Sequence, residues 1–218
     1  FKRRSPSAGT LAADADVAEV ARAYAGDGAA ALSILTDDRW FGGSLDDLAT
    51  AREAADVPVL RKDFLVDPVQ LLEARAAGAD AVLLIVRAMA DDRLRELVEA
   101  TEDLGMDALA EAHGPGEVER AVEAGAEVVG INARDLTSFA VDLSLSERLL
   151  REIPDDRVAV AESGIRGESD VRRLAAAGAD AVLVGSYLME QGPEAVRELV
   201  GVPRGGKGAP SGGTGDRS

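Results

Sequence analysis

With 218 residues, 46% of them hydrophobic, the chain is long enough for one large core of the size usual in α/β barrels. No apolar run approaches the ~18 residues that a membrane span needs. A net charge of −16, carried partly by the pairs Asp37-Asp38, Asp46-Asp47, Asp91-Asp92 and Asp155-Asp156, excludes nucleic acid as a partner, because its phosphates would repel such a surface.

The first stretch, residues 1–9, is basic and ends in the loop signal Ser5-Pro6-Ser7-Ala8-Gly9. Apolar residues at Val17, Ala18, Val20, Ala21 and Tyr24 recur at helical spacing, which predicts a helix over 14–25 stopped by Gly26 and Gly28. A strand over 31–36 follows, then an irregular loop through Trp40-Phe41-Gly42-Gly43, then a helix capped by Ser44. The next strand covers 57–61, and Asp67-Pro68 opens a helix with proline at its favoured first position. Strands over 79–86, 106–112, 128–132, 158–161 and 181–185 then alternate with helices over 91–104, 117–124, about 145–153 and 169–177. The segment Ala76-Ala77-Gly78-Ala79-Asp80-Ala81-Val82-Leu83 recurs at 176–183, the mark of a repeated supersecondary unit.

Seven strands at this spacing, behind a basic stub, predict an α/β protein: a (β/α)8 TIM barrel whose first strand is largely missing, forming a single domain over 1–200. The rival is an open doubly wound sheet. It usually binds nucleotide through a glycine fingerprint after its first strand, and none is visible. The glycine-rich polar tail, 201–218, is expected to be disordered. The absence of cysteine excludes disulfides and thiolate metal sites, and with no signal-like leader a cytoplasmic location is expected. An acid-rich, lysine-poor composition resembles that of proteins from salt-loving organisms, in which salt screens self-repulsion; the alternative is the bias of a GC-rich genome.

Lys62 stands where the strand over 57–61 leaves the hydrophobic layer. The chain has only three lysines, at 2, 62 and 207, against 21 arginines, so a lysine at a strand end points to a task that a permanently charged guanidinium cannot perform. The bland reading is a lysine snorkelling at a strand terminus. In barrel enzymes the working residues lie at the carboxyl ends of the strands. Those ends here carry Lys62, Glu111, Asn132, Arg134, Glu162 with Ser163-Gly164, and Gly185-Ser186. The two glycine–serine pairs, followed by a short helix from Ser186, form a phosphate signal, since glycine lets backbone N–H groups approach an anion. The single histidine, His113, reads as a loop residue that cannot make a metal site alone.

The segments Lys2-Arg3-Arg4-Ser5-Pro6-Ser7, Phe41-Gly42-Gly43-Ser44-Leu45, Val59-Leu60-Arg61-Lys62-Asp63-Phe64, Gly130-Ile131-Asn132-Ala133-Arg134-Asp135-Leu136 and Ala161-Glu162-Ser163-Gly164-Ile165 together resemble the indole-3-glycerol-phosphate synthase family. The resemblance runs in order over residues 1 to about 200. It implies closure of the indole ring of tryptophan biosynthesis without metal or organic cofactor. Lys62 then matches the general acid, Glu111 a proton-handling carboxylate, and Lys2 the catalytic lysine that holds the substrate carboxylate and assists proton transfer. Asn132 and Glu162 match further catalytic groups, and Arg134, Ser5 and Phe64 substrate-binding ones. Ser163, Gly164, Gly185 and Ser186 match the phosphate cradle. A family glutamate two residues before Lys2 would precede Phe1, so an N-terminally truncated chain is expected. The implied partner is a phosphorylated small molecule, with possible association with other tryptophan-pathway enzymes. A lysine Schiff-base aldolase and a ligand-binding barrel impaired in catalysis are the alternatives.

Overall fold

The computed structural model describes residues 1–6, 9–135 and 137–203. Ser7, Ala8, Leu136 and the tail beyond 203 lie outside the described residues. Two short strands, β1 (Arg4–Ser5) and β2 (Gly9–Thr10), pair antiparallel at the start of the chain, where the sequence predicted only a basic loop. Seven parallel strands follow: β3 (Leu32–Leu35), β4 (Val59–Lys62), β5 (Ala81–Ile85), β6 (Asp107–Ala112), β7 (Val128–Asn132), β8 (Val158–Glu162) and β9 (Ala181–Leu183). Each pairs with the next in the order β3-β4-β5-β6-β7-β8-β9, and a helix crosses over between successive strands, as parallel pairing requires.

Local chemistry explains the helix starts. Asp16, Ser44 and Asp67 each accept a backbone N–H as N-caps, and Asp67 forms a reciprocal capping box with Gln70 ahead of Pro68. The stretch predicted as an irregular loop contains a one-turn helix, Asp38–Phe41. Asp37 caps it, and Gly42 ends it in the left-handed region with φ 66°. The strand predicted over 79–86 ends at Ile85, and Val86–Ala88 tightens into a 3-10 turn. The helix expected near 145–153 begins two residues earlier, because Asp142 accepts the Ser144 and Leu145 N–H groups.

The strands bury both faces. Val59, Val82, Leu84, Ala110, Val129, Ile131, Ala159 and Ala161 pack outward against helix residues such as Leu48, Leu71, Leu94, Leu149 and Leu174. Alternate residues, Leu60, Leu83, Ile85 and Leu109, form a separate inner cluster with Ala81, Val128, Val160 and Leu183. The sheet therefore curls. Strands four places apart in a flat sheet would stand about 19 Å apart at the usual spacing, yet a β4 side chain meets a β8 side chain at 2.9 Å. Among the described residues, β3 and β9 are the sheet's two edges.

Candidate active site

Alternation carries the inner face of each strand up to its carboxyl end. Lys62 lies two residues beyond Leu60, Glu111 two beyond Leu109, and Glu162 two beyond Val160, so all three enter the curled sheet on one level. Lys62 Nζ donates to Glu111 Oε2 and to Glu162 Oε2, each at 2.9 Å. Asn132, at the end of β7, donates from Nδ2 to Glu111 Oε2 at 3.0 Å and accepts the Arg134 backbone N–H through Oδ1. Both carboxylates are almost wholly buried, while the lysine keeps a 17% exposed side chain.

Behind this level Arg61 points outward into the helix layer. It donates to Thr36, to the Gln70 carbonyl and to Asp63, and the Thr36 hydroxyl donates to the same Asp63 oxygen at 2.6 Å. This buried network, with all its groups bonded, ties the end of β4 to β3 and to the helix Pro68–Ala76. Lys62 thus projects from a fixed backbone.

The electrostatics assign protonation. Burial opposes the Lys62 charge, but Glu111 and Glu162 more than offset it, and the ammonium is held above its usual range. Burial also works against ionising either carboxylate. Glu111 is nevertheless pulled down, by the Lys62 charge above all, and Asn132 gives it a further donor. Glu162 is pushed up, with burial the largest cause and Lys62 opposing, and among the described residues its Oε1 has no hydrogen-bond partner. One carboxylate is therefore the ionised member of the pair and the other the protonated one.

A second group gathers at the ends of β8 and β9. Ser163 and Gly164 both have positive φ, 67° and 77°, and Gly185 leads into the short helix Ser186–Gln191. Lys2 Nζ donates to Ser186 Oγ at 3.0 Å. Burial, then Arg134 and Lys62, lower the Lys2 pKa to about 8. Lys2 therefore joins the glycine–serine group to the edge of the Lys62 cluster, a link that spans almost the whole chain in sequence. The room for a Cβ differs between Gly164 and Gly185. At Gly164 a Cβ would meet Val141 Cγ1 at 2.5 Å, whereas at Gly185 it would reach only ordinary contact with Lys2.

Phe64 stays outside both groups, about half exposed, with its ring 6.4 Å from that of Phe41. Ser5 is buried in β1. Arg134 donates from Nη1 to the Phe139 carbonyl, which folds its side chain along the loop after β7. Two residues of the site were not recognised as part of it in the sequence. Gly130 leaves the space that Glu162 Oε1 fills, for a Cβ there would stand 2.2 Å from that oxygen. His113 is a loop residue, as expected, but a buried one, with Nε2 3.3 Å from Glu111 Oε1. Strand alternation carries a signal for the first, since Gly130 lies two residues before inward-facing Asn132. Among the described residues, no group of three His, Cys, Asp or Glu is placed to hold a metal ion.

A curled parallel sheet with a lysine held between two carboxylates at its strand ends defines the class: an α/β, barrel-like fold whose titratable groups gather at the carboxyl ends of the strands, the end at which barrel enzymes work. The profile of the family described as indole-3-glycerol phosphate synthase matches residues 1–199, and the chain belongs to that family. It is 57% identical to the indole-3-glycerol phosphate synthase of a Nocardioides species over 203 residues, 92% of this chain and 78% of that one. It is 55% identical to indole-3-glycerol phosphate synthase 2 of Streptomyces coelicolor over 203 residues, 92% of this chain and 79% of that one. Among solved structures, a thiamine phosphate pyrophosphorylase from Pyrococcus furiosus superposes with a TM-score of 0.66 at 20% identity, covering 85% of this chain and 88% of the other. At that identity the likeness concerns the fold alone.

Proposed function

We propose that the Lys62 cluster is the centre at which this chain performs the family's reaction. That reaction converts 1-(2-carboxyphenylamino)-1-deoxyribulose 5-phosphate into indole-3-glycerol phosphate, with release of carbon dioxide and water, in tryptophan biosynthesis. The observation that carries the reading is the lysine ammonium held at 2.9 Å from both Glu111 and Glu162. Lys62 donates its proton to the ketone oxygen while the ring carbon that bears the carboxylate attacks the carbonyl carbon. Carbon dioxide then leaves, and its bonding pair stays in the ring. The new hydroxyl departs as water after taking a second proton from Lys62, which has regained one from solvent, and the neighbouring C–H is deprotonated by ionised Glu111. Asn132 and Glu162 keep the acid and the base in register. Lys2, Arg134, Ser5 and Phe64 bind the substrate, and Ser163, Gly164, Gly185 and Ser186 hold its phosphate. The Lys2–Ser186 contact supports this placement of an anion handle beside the acid.

The raised pKa of Lys62 favours an acid over a Schiff-base nucleophile, which would have to be neutral. Lys62→Arg keeps the charge but withdraws the usable proton, so turnover is expected to fall by about 10²-fold or more, while a phosphorylated product analogue still binds. Turnover within a few-fold of the parent chain would remove the general-acid role.

The same reading makes residues 1–200 one barrel domain in which an eighth strand lies between β9 and β3. Two observations support it. The Phe1 carbonyl accepts the Leu35 N–H and its amino group donates to the Ser33 carbonyl, so Phe1 already pairs with the edge of β3. Beside it lies an apolar cavity of about 540 Å³, lined by Tyr24, Leu32, Ile34, Val182, Val184 and Leu188 among others. No helix among the described residues is long and apolar enough to cross a membrane.

A further inference from the structure

His113 is the one histidine of the chain, and the reaction described above gives it no task. It follows directly on β6, and its side chain is 1% exposed. Nε2 lies 3.3 Å from Glu111 Oε1, off the line that a good hydrogen bond needs. Nδ1 lies 3.9 Å from Glu117 Oε2, and neither nitrogen has a hydrogen-bond partner among the described residues. A buried polar ring in that condition is unfavourable unless it finds a partner at some stage of the catalytic cycle. The nearest acceptor is the adjacent carboxylate. Glu111 Oε2 is committed to Lys62 and Asn132, while Oε1 faces the imidazole.

We propose that His113 is a positioning residue for Glu111: in its neutral Nε2–H form the ring turns its proton onto Oε1 and fixes the carboxylate with Oε2 aimed at Lys62 and the substrate. The demand for this bond is greatest when Lys62 gives its proton to the substrate, because Glu111 then loses its closest cation. The inference rests on the reading of Glu111 as the proton-handling group.

The groups around the ring select the tautomer. Glu111 of β6 stands on the Nε2 side. Glu117, from the helix Glu117–Glu123, stands on the Nδ1 side beyond hydrogen-bond reach, and its oxygens are already taken by the His113 backbone N–H at 2.8 Å and by Arg87 at 3.0 Å. Arg87 comes from the turn after β5, and Lys62 of β4 completes the charges that face the imidazole. Burial keeps the ring below its ordinary pKa, with Arg87 and Lys62 reinforcing and Glu111 and Glu117 opposing, so the imidazole is neutral at working pH. A neutral ring has one proton to place, and the oxygen within reach lies on the Nε2 side.

A single histidine makes the test direct. Nitrogen-15 spectra of the full chain are expected to show a neutral Nε2–H imidazole from about pH 6 to 8. An Nδ1–H tautomer, or an imidazolium across that range, overturns the proposal whether or not the chain turns over substrate. In kinetics, His113→Leu is expected to lower kcat about tenfold or more with KM within about twofold, and to move the acid limb of the kcat profile to higher pH as Glu111 loses a donor. His113→Gln, whose side-chain amide can reach the same oxygen, is expected to recover kcat to within about threefold of the parent. Equal losses in both variants, with an unmoved pH profile, mean that the ring only fills space and overturn the proposal. If the parent chain has no synthase turnover, it is the proposed function that fails, and the spectra alone judge His113.

Discussion

Gly130 shows how an absent side chain builds the site. Its φ lies outside the left-handed region, so backbone freedom is not its reason for being glycine. The reason is space. A Cβ would stand 2.2 Å from Glu162 Oε1 and 3.1 Å from Leu109 Cδ1, and the first separation is far inside van der Waals contact. Gly130→Ala is therefore expected to push the Glu162 carboxyl away from Lys62 and to lower turnover about tenfold or more. In a Glu162→Ala background, where the carboxyl is gone, the same change should add little. Steady-state rates of the parent, the two single variants and the double variant close the cycle. Strictly additive losses would show that Gly130 acts through something other than Glu162.

At the scale of the element, the chain repeats itself structurally as well as in sequence. The unit from β4 through the helix Pro68–Ala76 to β5 has a counterpart in β8, the helix Glu168–Ala176 and β9. In both units the aspartate of the repeated segment ties the start of the preceding strand: Asp80 accepts the Val59 N–H at 2.8 Å and Asp180 accepts the Ala159 N–H at 2.9 Å. Lys62 and Glu162 hold equivalent positions in the two units, 100 residues apart, and meet at 2.9 Å, Lys62 Nζ donating to Glu162 Oε2. The turns beyond them have diverged. Asp63 bonds Thr36 and Arg61, whereas Ser163-Gly164 adopts positive φ for the proposed anion cradle. The two glycines proposed for that cradle are expected to respond differently to alanine. Gly164→Ala combines a left-handed backbone with a clash against Val141 and Leu143, so it should cost about 1–3 kcal/mol and lower Tm. Gly185→Ala fits the fold, so Tm should hold while a phosphorylated ligand loses affinity in titration calorimetry and its dephosphorylated analogue does not. Equal weakening of both ligands by the Gly185 change would detach that residue from the phosphate.

The whole molecule is organised by curvature. Seven parallel strands curl far enough to bring β4 and β8 side chains into contact, but β3 and β9 remain edges beside an apolar cavity among the described residues. Exposed strand edges and poorly filled apolar space both lower stability. A chain carrying a strand-length, alternately apolar segment ahead of Phe1 is therefore expected to melt at higher temperature, with slower hydrogen exchange at the edge of β9. Unchanged Tm and unchanged exchange would dismiss the eighth strand from between β9 and β3.

The sequence by itself determined the alternation of strands and helices, because periodicity, caps and glycine stops act within a few residues of one another. It also singled out Lys62, since a chain that uses arginine almost everywhere else keeps a lysine at that strand end. It missed the hairpin of β1 and β2 and the one-turn helix Asp38–Phe41, whose segments are too short to show a period. Only the tertiary structure decided which strand ends meet. The Lys62–Glu162 pair, the Lys2–Ser186 bond and the burial of His113 beside Glu111 depend on the curl of the sheet and on contacts between distant segments. Protonation was decided there as well: the same carboxylate chemistry is pulled down at Glu111 and pushed up at Glu162 by neighbours that no local pattern brings together.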